Sequence, residues 1–440
     1  MAVQLINRVE EKGVIVQDGG EESLRIRRVL FVDDERRILD ALRRTLRVAH
    51  HEWDMTFESD PLAALDMLRE QPFDALVTDM RMPRMDGADL LSEARELRPG
   101  MARIVLSGYS ERALAIRSVA LAHQFLTKPC SVEMLRSSIA RVCDLRSLLH
   151  EIGLADVICR LGALPSLPSL YEAITDEVSG KDVSLTRVAG IVGQDLAMTA
   201  KILQLVNSSF FGIGRRVLDV EEGVSYLGVD IIRALVASNG AFAAFESEET
   251  DTFEALWRHS SLTGLLAGRI AEMERRDDDV VRGESLQAGM LHDVGQLALA
   301  ARLPHVYRSA RLDAADGSAS VSVRERALAG CDHGRVGAYL MGLWGLPDRV
   351  VEAIAYHHTP SELGYSEWSP LTTVHAANAL INEQLGTGDS ELDMTYLVSA
   401  QCVDRIGAWR REAAKIATNV DAFSEHSGAS RLGGMGSRHG

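Results

Sequence analysis

The chain has 440 residues, 46% of them hydrophobic and 5% aromatic, which is enough for two or three domains with full cores. No apolar run is long enough to span a bilayer, and five scattered cysteines without a CxxC pair exclude a disulfide framework and a zinc–thiolate site. Of the net charge of −16, residues 1–150 carry about −2 and residues 151–440 about −14, so the second half on average lacks the basic face of a DNA-binding output.

Residues 1–26 are charged and Gly-containing, without an uninterrupted apolar core. They read as a flexible leader and not a secretory signal, which predicts a cytoplasmic location with no membrane contact. From residue 27 to 148, the short apolar runs VLFV (29–32), MTFES (55–59), ALVT (75–78), RIVL (103–106) and QFLT (124–127) alternate with helical patterns such as RRILDALRRTL (36–46). Alternation of this kind predicts an α/β doubly wound parallel five-stranded sheet. Ligands of such sheets bind beyond the carboxyl ends of the strands. Asp33 and Asp34 follow the first run, Asp79 the third, Ser107 the fourth and Lys128 the fifth. Clustered carboxylates call for a cation, and an all-oxygen set suits Mg²⁺ with a phosphate beside it. Taken singly, Asp34 reads equally well as a helix N-cap, Lys128 as a surface charge and Ser107 as a turn residue. Five such residues, each at a strand end, weigh against coincidence.

VLFVDDE, DMRMPRMDG, LSGYS and FLTKP resemble the receiver domain of two-component response regulators, whose fold is flavodoxin-like. The resemblance implies Asp79 as phosphoacceptor. It implies Asp33, Asp34, Asp79 and the backbone carbonyl of Arg81 around Mg²⁺. Ser107 and Phe125 become switch residues and Lys128 the phosphoryl-binding lysine. Ser107 stands where many members have threonine, and either hydroxyl can bond a phosphoryl group. A sensor histidine kinase or phosphotransfer protein is the implied partner.

Residues 134–158 read as one helix, the last receiver helix prolonged into a linker (149–158), and such a helix can pair with its copy in a homodimer. Beyond it, Pro165 and Pro168 mark a stiff turn, and strand patterns cease. Residues 159–420 read as an all-α array of about a dozen helices. GMLHDVGQLALA (289–300) reads as one helix with an apolar stripe through Met290, Val294 and Leu297. Residues 421–440, rich in Gly and Ser, read as a disordered tail. The candidate ligands in this half are His259, His292, Asp293, His333, His357 and His358. Imidazoles on neighbouring helices with one carboxylate suit Fe, Mn or Zn. A lone helical histidine is more often exposed or a satisfied core residue, the reading given to His305 and His375.

LPSLP, the stretch through NSSFFG, LHDVG and HGRVGAYLMGLWGLP followed by HH resemble the HDOD domain, a relative of the HD and HD-GYP metal-dependent phosphohydrolases. The resemblance implies a helical signalling module most of whose members show no hydrolase activity. Gln296 stands where HD-GYP enzymes have a lysine, Asn378 where they have a late aspartate ligand, and no GYP triplet follows His333. A phosphate-facing cation and an anionic ligand are thereby lost. The expected function is a response regulator signalling through a non-catalytic HDOD output to a downstream protein. The alternative is a receiver-controlled metal phosphohydrolase acting on a nucleotide such as a cyclic dinucleotide.

Overall fold

A computed structural model describes residues 26–418 except 50, 109–116, 146–148, 150–153, 155–157, 160–163, 181, 209–214, 238–242, 245–249, 315–318, 365–366 and 388–390. The expected leader, apart from Ile26, and the expected tail lie outside the described residues.

Strands β1 (Arg27–Val32), β2 (Trp53–Glu58), β3 (Ala75–Asp79), β4 (Ala102–Ser107) and β5 (Gln124–Thr127) form one parallel sheet in the order β2-β1-β3-β4-β5. β3 and β4 are buried along their whole length, which is why their sequences are mostly apolar, with Arg103 the buried exception inside β4 and Asp79 and Ser107 at the strand ends. Among the described residues the sheet is flanked by α1 (Arg36–Thr45), α2 (Pro61–Glu70), α3 (Gly87–Leu97) and α4 (Val132–Asp144). The side chains of Asp60, Asp86 and Ser131 accept backbone N–H groups in the first turns of α2, α3 and α4. Asp34 is not such a cap. α1 is entered through Glu35, whose side chain caps nothing, while Asp33 accepts the Glu35 N–H at 3.0 Å.

The second half is helical: α5 (Pro168–Ser179), α6 (Leu185–Val192), α7 (Leu196–Asn207), α8 (Val220–Ala237), α9 (Thr250–Glu274), α10 (Asp279–Leu291), α11 (Val294–Arg302), α12 (Pro304–Ala314), α13 (Val321–Ala329), α14 (His333–Leu343), α15 (Asp348–Tyr356), α16 (Pro370–Leu385), α17 (Met394–Ser399) and α18 (406–418). Its extended pairing, among the described residues, is a two-residue parallel bridge between Pro165–Ser166 and Ala243–Ala244. No helix among the described residues is long and apolar enough to cross a membrane.

Two helices expected from the sequence differ. The helix over 289–300 is two helices, α10 and α11, joined at His292–Asp293. Each half answers to a different neighbour. A Cβ on Gly289 would lie 2.7 Å from the Gly264 Cα of α9, and one on Gly295 would strike the His333 carbonyl and lie 2.7 Å from the Gly337 N of α14. These glycines let the backbones touch, and the chain turns between the two contacts. The helix over 134–158 ends, as α4, at Asp144; residues 146–148, 150–153 and 155–157 of it lie outside the described residues. The end of α4 packs on the second half of its own chain. Arg141 pairs with Asp348 at 3.0 Å and donates to the Leu346 carbonyl, and Leu145 fills the space beside Gly342.

α7 makes a second junction between the halves. Lys201 Nζ donates to the Val119 carbonyl at 2.8 Å, and Gln204 Nε2 donates to the His123 carbonyl at 3.1 Å. Arg103 of β4, wholly buried, donates to the Cys159 carbonyl at 3.2 Å.

Candidate functional sites

The register of the sheet assembles the first site. Val32 lies opposite Thr78, Asp79 opposite Leu106, and Ser107 opposite Thr127, so Asp33, Asp79, Ser107 and Lys128 end up side by side at one edge. Lys128 Nζ donates to Asp33 Oδ2 at 2.6 Å and also to Asp79 Oδ1. Burial pushes the Asp33 and Asp79 carboxyls above the ordinary carboxylate range despite Lys128. Burial opposes the charge on Lys128 too, but the hydrogen bonds to Asp33 and Asp79 outweigh it and raise the ammonium above its ordinary value. The Arg81 N–H donates to Asp79 Oδ2 at 2.7 Å, which orients the acceptor carboxylate. Asp34 is half-buried beside this group, and Ser107 and Phe125 are buried. Two buried carboxylates sharing one ammonium leave an excess of negative charge and of oxygen donors, which fits a Mg²⁺ ion.

The second site lies where α9, α11 and the ends of α10, α14 and α15 meet. All six residues read as ligands converge there, but in two groups rather than one cage: Asp293 with His333, His357 and His358, and Asp293 with His259 and His292. Asp293 Oδ1 lies 3.0 Å from His333 Nε2 and 3.8 Å from His357 Nε2; Oδ2 lies 3.5 Å from His292 Nε2 and 3.8 Å from His259 Nε2. One carboxylate thus faces both groups.

Three rings are fixed from behind. Nδ1 of His292 lies 2.7 Å from the Gly289 carbonyl, Nδ1 of His357 lies 2.8 Å from the Ile354 carbonyl, and Nδ1 of His333 lies 2.5 Å from Glu325 Oε2. Acceptors at Nδ1 place the proton there and turn the Nε2 lone pair inward, the ligating tautomer. The buried His357 Nε2 has no hydrogen-bond partner among the described residues. Burial and neighbouring imidazoles hold His357 and His358 well below the ordinary histidine range, and burial with His292 brings His259 down to about 4. For Asp293 burial opposes ionisation, but His292 and His333 outweigh it and hold the carboxyl well below its usual value. His333 differs: burial opposes its charge, but Glu325 and Asp293 outweigh it and raise the ring well above the ordinary histidine range. The lowered His259, His357 and His358 rings with an ionised carboxylate make a donor set that fits a transition-metal site.

Asn378 Oδ1 lies 3.0 Å from His259 Nε2, so it closes the second group as a neutral amide. Gln296 does not stand free at the degenerate position: Arg311 of α12 donates to its Oε1. His375 is a satisfied core residue, its Nδ1 2.7 Å from the His357 carbonyl and its Nε2 accepting from the Asp393 N–H at 2.8 Å; His305 is exposed.

A family model described as the response regulator receiver domain matches residues 29–140, and one described as the HDOD domain matches residues 164–360. The chain is a response regulator with a receiver followed by an HDOD domain. It is similar to an uncharacterized protein of Treponema pallidum (strain Nichols), 29% identical over 228 residues, covering 52% of this chain and 44% of that protein. The chain therefore spans less than half the length of that relative. It is also similar to the response regulator MprA of Mycobacterium sp. (strain KMS), 32% identical over 165 residues, covering 36% of this chain and 67% of MprA. Among solved structures it is similar to a fragment of the MmoQ response regulator of Methylococcus capsulatus, 22% identical, covering 56% of this chain and 91% of that one, with a TM-score of 0.42.

Sequence reasoning on this response regulator missed Glu325, Arg311, Lys201 and Gln204. Glu325 lies eight positions before His333 with a helix end between them at Gly330, in left-handed backbone at φ 77°, so no helical spacing links the pair. Arg311 reaches Gln296 from a different helix.

Proposed function

We propose that this response regulator takes a phosphoryl group on Asp79 and relays the change to its HDOD domain through the contacts of α7 and α4, with the HDOD domain acting on a downstream protein without hydrolysis. The proposed limits are 27–148 for the receiver, 149–158 for the linker and 159–420 for the output, in a cytoplasmic protein that does not bind DNA. The observation that carries it is the sheet register placing Asp79 beside Asp33, Ser107 and Lys128.

An Asp79 oxygen attacks the phosphorus of a phosphohistidine on a sensor kinase or phosphotransfer protein; the P–O bond forms as the P–N bond breaks. Lys128, held charged between Asp33 and Asp79, then bonds a phosphoryl oxygen in place of the Asp79 oxygen it now holds. The Ser107 hydroxyl takes another, and Phe125 on the adjoining strand follows it. A Mg²⁺ held by Asp33, Asp34, Asp79 and the Arg81 carbonyl supplies neutralising charge for the phosphoryl oxygens when bound. Incubation with a small acyl phosphate and Mg²⁺ should give a slower band on a phosphate-affinity gel. Its persistence in Asp79→Asn would overturn the assignment.

The histidine cluster would hold Fe, Mn or Zn through His259, His292, Asp293, His333, His357 and His358, which supplies Lewis acidity when bound. The Arg311 contact with Gln296 favours a second reading, a metal phosphohydrolase acting on a cyclic dinucleotide, because it brings a cation back to the position where lysine is lost. The amide of Asn378 weighs against it, since it adds no negative charge to the second ligand group. Cyclic-dinucleotide turnover with added Mn²⁺ or Fe²⁺ that is abolished by Asp293→Ala would establish the second reading.

A further inference from the structure

Between the two domains lies a cleft of about 440 Å³ that shares Phe125 with the receiver site and no residue with the histidine cluster. One wall is β5 and α4 of the receiver; the other is α7, Arg216 and the turn between α14 and α15. A volume of this order is that of a small-molecule site.

Its charge is unbalanced. Arg141 and Arg216 both line it, and the charge of Arg216 is felt at Arg141. The one carboxylate among the lining residues is Asp348, already paired with Arg141 at 3.0 Å. Arg216 is exposed and makes no hydrogen bond or ion pair among the described residues, although its charge is felt at Glu284, outside the lining. The Lys201 amine lies nearby, its Nζ 4.6 Å from the ring of Trp344, which also lines the cleft. Two buried polar atoms of the lining residues lack partners among the described residues: the donor Arg141 Nε and the acceptor Gln204 Oε1, the latter on a side chain only 3% exposed. Buried polar atoms left unpaired cost stability, and a ligand that pairs them recovers it. Guanidiniums call for an oxyanion, and a phosphate meets them with short charge-assisted hydrogen bonds. The orphaned acceptor calls for a donor on the same ligand, such as a sugar hydroxyl.

From this juxtaposition we infer that the interdomain cleft binds a small phosphate ester bearing hydroxyl groups, of mononucleotide size, with the phosphate between Arg141 and Arg216 and a hydroxyl on Gln204. Because both domains supply walls, such a ligand binds the docked arrangement better than a separated one and shifts the population toward it.

The test is calorimetric titration of the full chain with adenosine 5′-monophosphate, adenosine and inorganic phosphate. The monophosphate should bind, phosphate more weakly, and adenosine not measurably. Arg216→Glu, a change at an exposed residue, should weaken monophosphate binding roughly tenfold or more with an unchanged circular dichroism spectrum. Gln204→Leu should weaken the monophosphate and leave inorganic phosphate unaffected. Absence of binding by the monophosphate overturns the inference. Binding that Arg216→Glu leaves intact also overturns it, because the anion then sits elsewhere.

Discussion

Lys201 of the HDOD domain donates a hydrogen bond to the carbonyl of Val119 in the receiver, and it does so with no carboxylate beside it among the described residues. The side chain is 1% exposed, and burial pushes its ammonium down to about 7. A charge kept in so dry a place is a tether between domains that is strong in geometry and weak in energy.

That weakness gives a pH dependence. The unfolded chain keeps its proton on Lys201 up to the ordinary value of 10.5, whereas the folded chain loses it from about 7. Between those values the unfolded state binds more protons, so this residue's contribution makes stability rise with pH. Thermal unfolding followed from pH 7 to pH 9.5 should show that rise, and Lys201→Met should flatten it. An equal slope in the two proteins would count against a buried ammonium.

Asp293 is shared by both ligand groups, so its loss should differ from the loss of a group member. Metal analysis after growth with added iron, manganese or zinc should find metal in the wild type and none in Asp293→Ala. His259→Ala should keep the metal of the His333, His357 and His358 group. Glu325→Gln should cost roughly 10–100-fold in metal affinity by loosening His333. Complete loss in His259→Ala would mean a single site.

Gly295→Ala should destabilise the HDOD domain by about 1–3 kcal/mol, since the new methyl meets the His333 carbonyl and the helices must part. Denaturant unfolding measures it. A neutral result would show that the α11–α14 contact has slack.

The receiver site was legible in the sequence because each of its residues follows an apolar strand run, and parallel register carries sequence position directly into space. The histidine cluster was legible as a set of residues but not as two groups. The split depends on the turn at His292–Asp293, and the periodicity of Met290, Val294 and Leu297 runs through that turn without a break. Glu325 reaches His333, and Arg311 reaches Gln296, from other helices, a distance that spacing along one helix does not encode. The interdomain contacts of Lys201, Gln204 and Arg141 depend on how two separately folded patterns dock, for which neither pattern carries a period.

The central claim is that phosphorylation of Asp79 is felt by the HDOD domain through these contacts. Hydrogen exchange of the full chain, with and without acyl phosphate and Mg²⁺, measures it at residues 117–125 and 196–207. The account predicts altered protection in both segments on phosphorylation, and no change in Asp79→Asn. Identical protection of both segments in the phosphorylated and unphosphorylated protein would contradict it.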